Sequence, residues 1–189
     1  MPAVDSLFCR FYFYVENCYN ICYTFLEVNV LKENIDNQLD LTKNLLYNSE
    51  SEIALEYATW MKEKAHIKFE KNIPCFLITA NYIYWCDLGI NIGSEQNKIR
   101  PVLIVKTHKN STGCTGIPLT SERMNDSRWY HVDLEDQNST AIIEQLRTVS
   151  KLRILSPMRK KGHVLKITQN DWENINKALT SYYTMTPWK

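Results

Sequence analysis

The chain has 189 residues, 44% of them hydrophobic, and a formal net charge of +1. Those values exclude wholesale disorder, allow a packed core, and give no global signal for a polyanionic partner. Six cysteines (Cys9, Cys18, Cys22, Cys75, Cys86 and Cys114) follow no signal peptide, so reduced thiols packed as small apolar side chains in a cytosol are expected. No second ligand pair follows Cys18 and Cys22 at zinc-site spacing, so neither a metal nor another cofactor is expected.

The first segment, 1–30, is atypical in its density of Phe, Tyr and Cys. Arg10, Glu16, Asn17, Asn20 and Glu27 interrupt it, so it does not qualify as a membrane span and no membrane partner is expected. A native start near Leu31 is the expectation. Between Pro2 and Pro74 there is neither glycine nor proline, and a stretch with so few turn-formers reads as helical. One helix from about Leu31 carries Leu31, Ile35, Leu39, Leu45 and Leu46 near one stripe. A second follows a Ser49-x-x-Glu52 capping-box pattern, with Ile53, Tyr57, Trp60, Met61 and Ile67 at helical spacing. Packing of this stripe against the following domain is expected. Residues 31–75 thus form a helical extension and 76–189 the main domain.

After Pro74 short β-rich runs alternate with turns. Tyr82 to Leu88, Val102 to Thr107, Thr115 to Leu119, Tyr130 to Leu134, Ala141 to Val149 and Val164 to Ile167 are the expected strands. Their spacing points to a small, strongly bent sheet or barrel. A closing helix follows, capped by Thr168 with Asp171 three residues on, and striped by Trp172, Ile175, Leu179 and Tyr182.

No nucleophile elbow, phosphate loop, dinucleotide fingerprint or His-Glu-x-x-His helix is present. The loop between the first two strands is the richest in chemistry. It holds Gly93, Ser94, Glu95, Gln96, Asn97, Lys98 and Arg100 before Pro101 opens an apolar strand. Asn97, Lys98 and Arg100 supply donors, and the planar arginine fork suits phosphate oxygens. Taken alone, the same residues also make an ordinary solvated hairpin loop.

Several short runs in order carry a resemblance. Tyr84-Trp85-Cys86-Asp87-Leu88-Gly89 leads to Gly93-Ser94-Glu95-Gln96 and Arg100-Pro101-Val102-Leu103-Ile104-Val105. Asn110-Ser111-Thr112-Gly113 precedes Ile117-Pro118-Leu119-Thr120-Ser121, and Glu144-Gln145-Leu146-Arg147-Thr148-Val149 follows. Together they resemble the MazF/PemK (Kid-like) toxin family over about Tyr82 to Tyr183. The resemblance implies an α+β fold, an SH3-like small β-barrel with a C-terminal helix, here preceded by a helical extension. It implies a homodimer and a metal-independent, sequence-specific endoribonuclease acting on single-stranded RNA. It also implies a cognate antitoxin whose flexible segment fills the RNA groove, in a complex that binds DNA. By the resemblance Arg100 and Thr120 are the catalytic pair and Glu95 matches a loop carboxylate implicated in some members. Ser94, Gln96, Asn97, Lys98, His131, Gln145 and Arg147 are the expected RNA contacts.

The chemistry is coherent. RNA carries its own nucleophile, the 2′-OH beside the scissile phosphate, so an enzyme need only align it, stabilise phosphoryl charge and assist proton movement. Arg100 fits charge stabilisation, Thr120 hydrogen-bond donation, and Glu95 or water proton acceptance. No acidic residue lies between Glu144 and Asp171, an interval that holds Arg147, Lys151, Arg153, Arg159, Lys160, Lys161 and Lys166. Such a segment can follow a phosphate backbone. In Tyr130 to Leu134 the alternation sends His131 and Asp133 away from the buried side, where His131 is either a base contact or an ordinary surface histidine. Trp129 and Tyr130 are stacking platforms or core residues.

One departure from the family stands at the first strand's entry. Thr79-Ala80-Asn81 replaces an Arg-Gly-Asp- or Arg-Gly-Glu-like turn, which puts the entry and any dimer contact there in question. Two other readings stay open: a CcdB-like gyrase poison of the same architecture, for which Trp188 is a faint pointer, and a catalytically inactive regulator that binds RNA or antitoxin.

Overall fold

A computed structural model describes residues 27–135 and 137–185. The expectations for Cys9, Cys18, Cys22, the start of the 1–30 segment and Trp188 lie outside them. The chain divides into two compact units, Met1–Ala58 and Thr59–Lys189. In the first, residues 27–47 form helix α1. Its stripe residues Leu31, Ile35, Leu39 and Leu45 are exposed. Helix α2 (Ser51–Phe69) begins in this unit and crosses into the second. Ser49 does not cap it: the hydroxyl donates instead to Leu45 O at 2.8 Å, and the first α2 turn closes from Ala54 N to Glu50 O. A serine one turn after Leu45 has that carbonyl within reach, and the local bond wins. Ile53 and Tyr57 are exposed, whereas Ile67, in the second unit, is buried.

The second unit is an antiparallel sheet with helix α3 (Gln169–Tyr183) against it. Among the described residues the strands are β1 (Ile83–Asp87), β2 (Ile99–Thr107), β3 (Gly113–Thr120), β4 (His131–Leu134), β5 (Ser139–Ile142), β6 (Arg147–Ser150), β7 (Ile154–Pro157), β8 (Arg159–Lys160) and β9 (His163–Val164). The order is β4-β5-β3-β2-β1-β7, with β6 also on β3 and β8–β9 as a separate hairpin. β3 pairs three strands because β6 takes Gly113 to Gly116 while β5 takes Leu119 and Thr120. One strand serving two partners on the same side forces the sheet to curl. The expected single strand from Ala141 to Val149 is therefore broken: Ile143–Gln145 form a 3-10 turn at the corner. The expected strand from Val164 to Ile167 shortens to β9 and one bridge, Tyr82 to Lys166.

Alternation along β1, β2 and β3 buries both faces. Ile83, Leu103, Ile117 and Leu119 join Ile175 and Ala178 of α3 in one core. Tyr84, Cys86, Val102, Ile104, Cys114, Val149 and Ile154 form a second core, covered by Ile78 and Phe76. α3 starts where the sequence says. Thr168 Oγ1 accepts from Asp171 N at 3.0 Å, and Asp171 Oδ2 accepts from Thr168 N at 2.9 Å. Asp171 is buried and its Oδ1 also accepts from Glu135 N at 3.0 Å, so the cap ties the helix to the β4–β5 turn. The architecture is α+β, a curled, barrel-like antiparallel sheet with a C-terminal helix.

The unusual entry to β1 is well formed. Asn81 takes φ 70°, a left-handed conformation that asparagine tolerates better than most residues. Its N–H donates to Ile104 O at 2.7 Å and its carbonyl accepts from Ile167 N at 3.1 Å.

Candidate RNA-cleavage site

The site is built at one end of the β1–β2–β3 ladder. Leu88 N donates to Lys98 O at 3.0 Å and Lys98 N to Gly89 O at 2.6 Å, which closes the base of a loop from Gly89 to Lys98. Gly89 (φ 76°) and Lys98 (φ 64°) both turn through the left-handed region. Inside the loop Asn91 N donates to Asn97 Oδ1 at 2.9 Å, and Asn91 Nδ2 to Leu88 O at 3.2 Å and Gln96 O at 2.8 Å. The loop therefore has internal structure rather than being a solvated span.

Arg100 follows at the start of β2. Its Nε donates to Asn97 O at 2.6 Å and its Nη1 to Gln96 Oε1. Burial lowers its pKa from the ordinary value and Glu122 opposes that change; a guanidinium remains charged regardless. The β2–β3 ladder pairs Val102 with Pro118. Val102–Pro118 is the last pair at this end of the ladder; Arg100 stands two residues before Val102 and Thr120 two residues after Pro118, so both lie at the same end of the sheet. Thr120 is buried at the end of β3, and its Oγ1 accepts from Glu122 N at 3.2 Å. That bond uses a lone pair and leaves the hydroxyl proton available to donate.

A groove of about 400 Å³ is lined by Ser94, Glu95, Glu144, Gln145, Leu146 and Arg147, and Gln96 links it to Arg100. Gln145 spans it. Its Oε1 accepts from Gln96 N at 2.7 Å and its Nε2 donates to Ser94 O at 2.9 Å, which anchors the loop to the 3-10 corner. Glu95 is exposed, with Oε2 3.7 Å from Arg147 Nη2. Arg153 stands behind, half-buried, its Nη1 donating to Asp87 O at 3.0 Å. Burial lowers its pKa, Asp87 opposes that, and Arg147 adds to it, so two arginines share this end of the sheet.

The sequence-expected residues fare differently. Arg100, Gln96 and Asn97 touch one another, and Ser94, Glu95, Gln145 and Arg147 line one groove. The Lys98 side chain is exposed, and its backbone closes the loop. His131 requires a correction. Its side chain is fully buried, with Nδ1 2.9 Å from Asp126 Oδ2 and Nε2 3.0 Å from Glu144 Oε1. Strand alternation does send it off the core face. A loop carboxylate and the 3-10 corner then cover it, so it presents no surface to a base. The basic interval is also partly structural: Lys151 is buried with Nζ donating to His108 O at 2.8 Å, and Arg159 Nη1 donates to Gly162 O at 2.9 Å. Trp129 is exposed, while Tyr130 packs against the core.

Sequence reasoning missed Glu122, Glu144 and Arg153 as members of this neighbourhood. Their only local signal is charge, and it is tertiary folding that brings them here. Among the described residues no group of three or more His, Cys, Asp or Glu side chains is placed to hold a metal ion.

Residues 80–183, more than half of the chain, match the family described as PemK-like, MazF-like toxin of type II toxin-antitoxin system. The chain belongs to this toxin family. Its match begins one residue before Asn81 and runs through the last residue of α3, so the loop, Arg100, Thr120 and the groove all fall inside the family region. A relative is Endoribonuclease EndoA of Bacillus subtilis (strain 168), 25% identical over 111 residues that cover 54% of this chain and 88% of that protein. Among solved structures, MazF (Form-I) from Deinococcus radiodurans is 15% identical, with a TM-score of 0.49 over 58% of this chain and 99% of that one. An endoribonuclease in complex with its cognate antitoxin, from a mycobacterial species, is 19% identical with a TM-score of 0.45, over 60% and 100%. The helices before residue 80 lie outside the family match.

Proposed function

We propose that this chain is the toxin of a type II toxin–antitoxin system and cleaves single-stranded mRNA at specific sequences without a metal ion. The observation that best supports the reading is that Arg100 and Thr120 lie in the family-matched region at the same end of the β2–β3 ladder, two residues beyond the Val102–Pro118 pair on either strand, and that Gln96 links Arg100 to the groove lined by Glu95 and Arg147. A phosphate seated between Arg100 and Thr120 receives a fixed cation on one side and a hydroxyl donor on the other. Charge that develops on the phosphoryl oxygens is met by groups already held in place, by Gln96 and Asn97 for Arg100 and by the Glu122 amide for Thr120. The 2′-OH attacks the neighbouring phosphorus and the 5′-oxygen leaves, giving a 2′,3′-cyclic phosphate and a 5′-hydroxyl. Glu95, or water, accepts the 2′-OH proton, and solvent returns a proton to the leaving oxygen.

Ser94, Gln96, Asn97, Lys98, Gln145 and Arg147 form the RNA-contacting rim in this reading. His131 supports the rim from beneath, through Glu144, rather than touching a base. The partners are single-stranded RNA, a cognate antitoxin that competes for the groove, and a second copy in a homodimer. A cytoplasmic location fits that substrate, and no described helix is long and apolar enough to cross a membrane. Residues 76–189 are the toxin domain and 31–75 an added helical extension. The name of the EndoA relative supports the activity, and the family's description supports the antitoxin.

The test is incubation of the purified full chain with a long RNA in EDTA, with the product ends analysed. Fragments ending in 2′,3′-cyclic phosphate and starting with 5′-hydroxyl are expected. Intact RNA together with inhibited gyrase would replace this reading with the gyrase-poison one.

A further inference from the structure

Helix α2 precedes the family-matched residues, yet its last turns, from Thr59, belong to the same compact unit as the sheet. Trp60, in those turns, is half-buried against the backbone of Gly89. The approach is so close that a Cβ on Gly89 would lie only 2.0 Å from the nearest indole carbon. On the ring lies Arg153, its guanidinium carbon 5.2 Å from the centroid. The same guanidinium donates to Asp87 O, and Asp87 Oδ1 accepts from Gly89 N at 2.9 Å. Gly89 O in turn accepts from Lys98 N. A cation, an indole and a glycine thus cluster at the base of the loop whose residues Gln96 and Asn97 hold Arg100.

We propose that Trp60 is a positioning residue for RNA cleavage: the extension clamps the base of the Gly89–Lys98 loop through the Arg153–Trp60–Gly89 cluster and so fixes the Arg100 guanidinium. The inference rests on the proposed ribonuclease reading. It makes part of the extension a working component of the site. Two anchors then hold the loop, Gln145 at its tip and Trp60 at its base. A displaced charge-stabilising group loses far more rate than binding, because it matters most when charge develops. The clamp's loss therefore appears in kcat, with little change in KM.

The test uses the full chain with Trp60→Leu, which keeps apolar bulk without a π face, and Trp60→Phe, which keeps a ring. Steady-state cleavage of a single-stranded RNA is measured beside amide hydrogen exchange. Trp60→Leu is expected to lower kcat about tenfold with KM within about twofold, and Trp60→Phe to recover most of that loss. The Leu88 and Lys98 amides exchange about tenfold faster in Trp60→Leu, while Leu103 and Ile117 in the core strands keep their protection. Unchanged kcat in Trp60→Leu overturns the proposal, as does equal deprotection of the core strands, which reports global destabilisation. If Trp60→Leu does not fold, Arg153→Gln probes the same cluster through its cation, and unchanged kcat or equal deprotection of the core strands overturns the proposal there too. If the wild type cuts no RNA, the ribonuclease reading fails and the cleavage role with it, whereas the exchange data still decide whether the cluster clamps the loop.

Discussion

Replacing Gln145 by leucine isolates the other anchor of the loop. The amide makes two bonds to loop backbone, accepting from Gln96 N at 2.7 Å and donating to Ser94 O at 2.9 Å. A net intramolecular hydrogen bond contributes ~0.5–1.5 kcal/mol, so the pair holds the loop by about 1–3 kcal/mol. Part-buried groups recover some hydration when the loop opens, which favours the lower half of that range. The opening equilibrium then shifts by about 5- to 30-fold. Hydrogen exchange reads this directly at the Gln96 amide, with the buried Leu103 amide of β2 as reference. Gln145→Glu keeps an acceptor for Gln96 N–H but turns a carboxylate towards Ser94 O, so it falls between wild type and Gln145→Leu. Gln96 protection in Gln145→Leu equal to wild type would refute the anchoring role.

Three further outcomes follow from other parts of the molecule. Asp171→Ala leaves the Thr168 and Glu135 amides without their acceptor and should cost about 2–4 kcal/mol in urea unfolding; a loss below about 0.5 kcal/mol would mean water replaces the carboxylate. The Asp126 pKa is depressed first by the Arg128 amide, then by the bond to His131, and that of Glu135 by Asn170 and Thr168. Folded values below unfolded ones add stability above the ordinary carboxylate range that is lost as pH falls through the depressed folded values. Asp126→Asn should flatten the acid limb of the stability–pH curve, and an unchanged limb would count against it. Burial raises the pKa of the Cys86 thiol far above its ordinary value and that of Cys114 in the same direction, while Cys75 is exposed. Mass mapping after brief alkylation of the folded chain should find Cys75 labelled and Cys86 and Cys114 protected until denaturation.

How much of the molecule was legible in its sequence depends on the range of the interactions concerned. The α3 cap could be read because Thr168 and Asp171 are three residues apart and satisfy each other. β1, β2 and β3 could be read because both their faces are buried, leaving long apolar runs. The corner at Ile143–Gln145 could not, since it arises where β5 and β6 take different parts of β3. β7 escaped notice because its exposed Leu155 and Ser156 and terminal Pro157 carry no alternation; its pairing with β1 defines it. At the site, Arg100 and Thr120 emerged through the family pattern, and the β2–β3 register puts both at the same end of the ladder. Gln145 was named as an RNA contact, but its bonds to Ser94 and Gln96 span about fifty residues and leave no local trace. The burial of His131 depends on Asp126 and Glu144, which strand alternation cannot foresee.

The central claim is that Arg100 stabilises charge on a phosphate undergoing attack by its own ribose. Its most direct test is the single-turnover rate of cleavage of a single-stranded RNA in EDTA, compared between the wild type and Arg100→Ala. Loss of one preorganised charge-stabilising group costs about 3–4 kcal/mol, so the rate should fall by about 10²–10³ with folding intact. Cleavage by Arg100→Ala at the wild-type rate would contradict the claim.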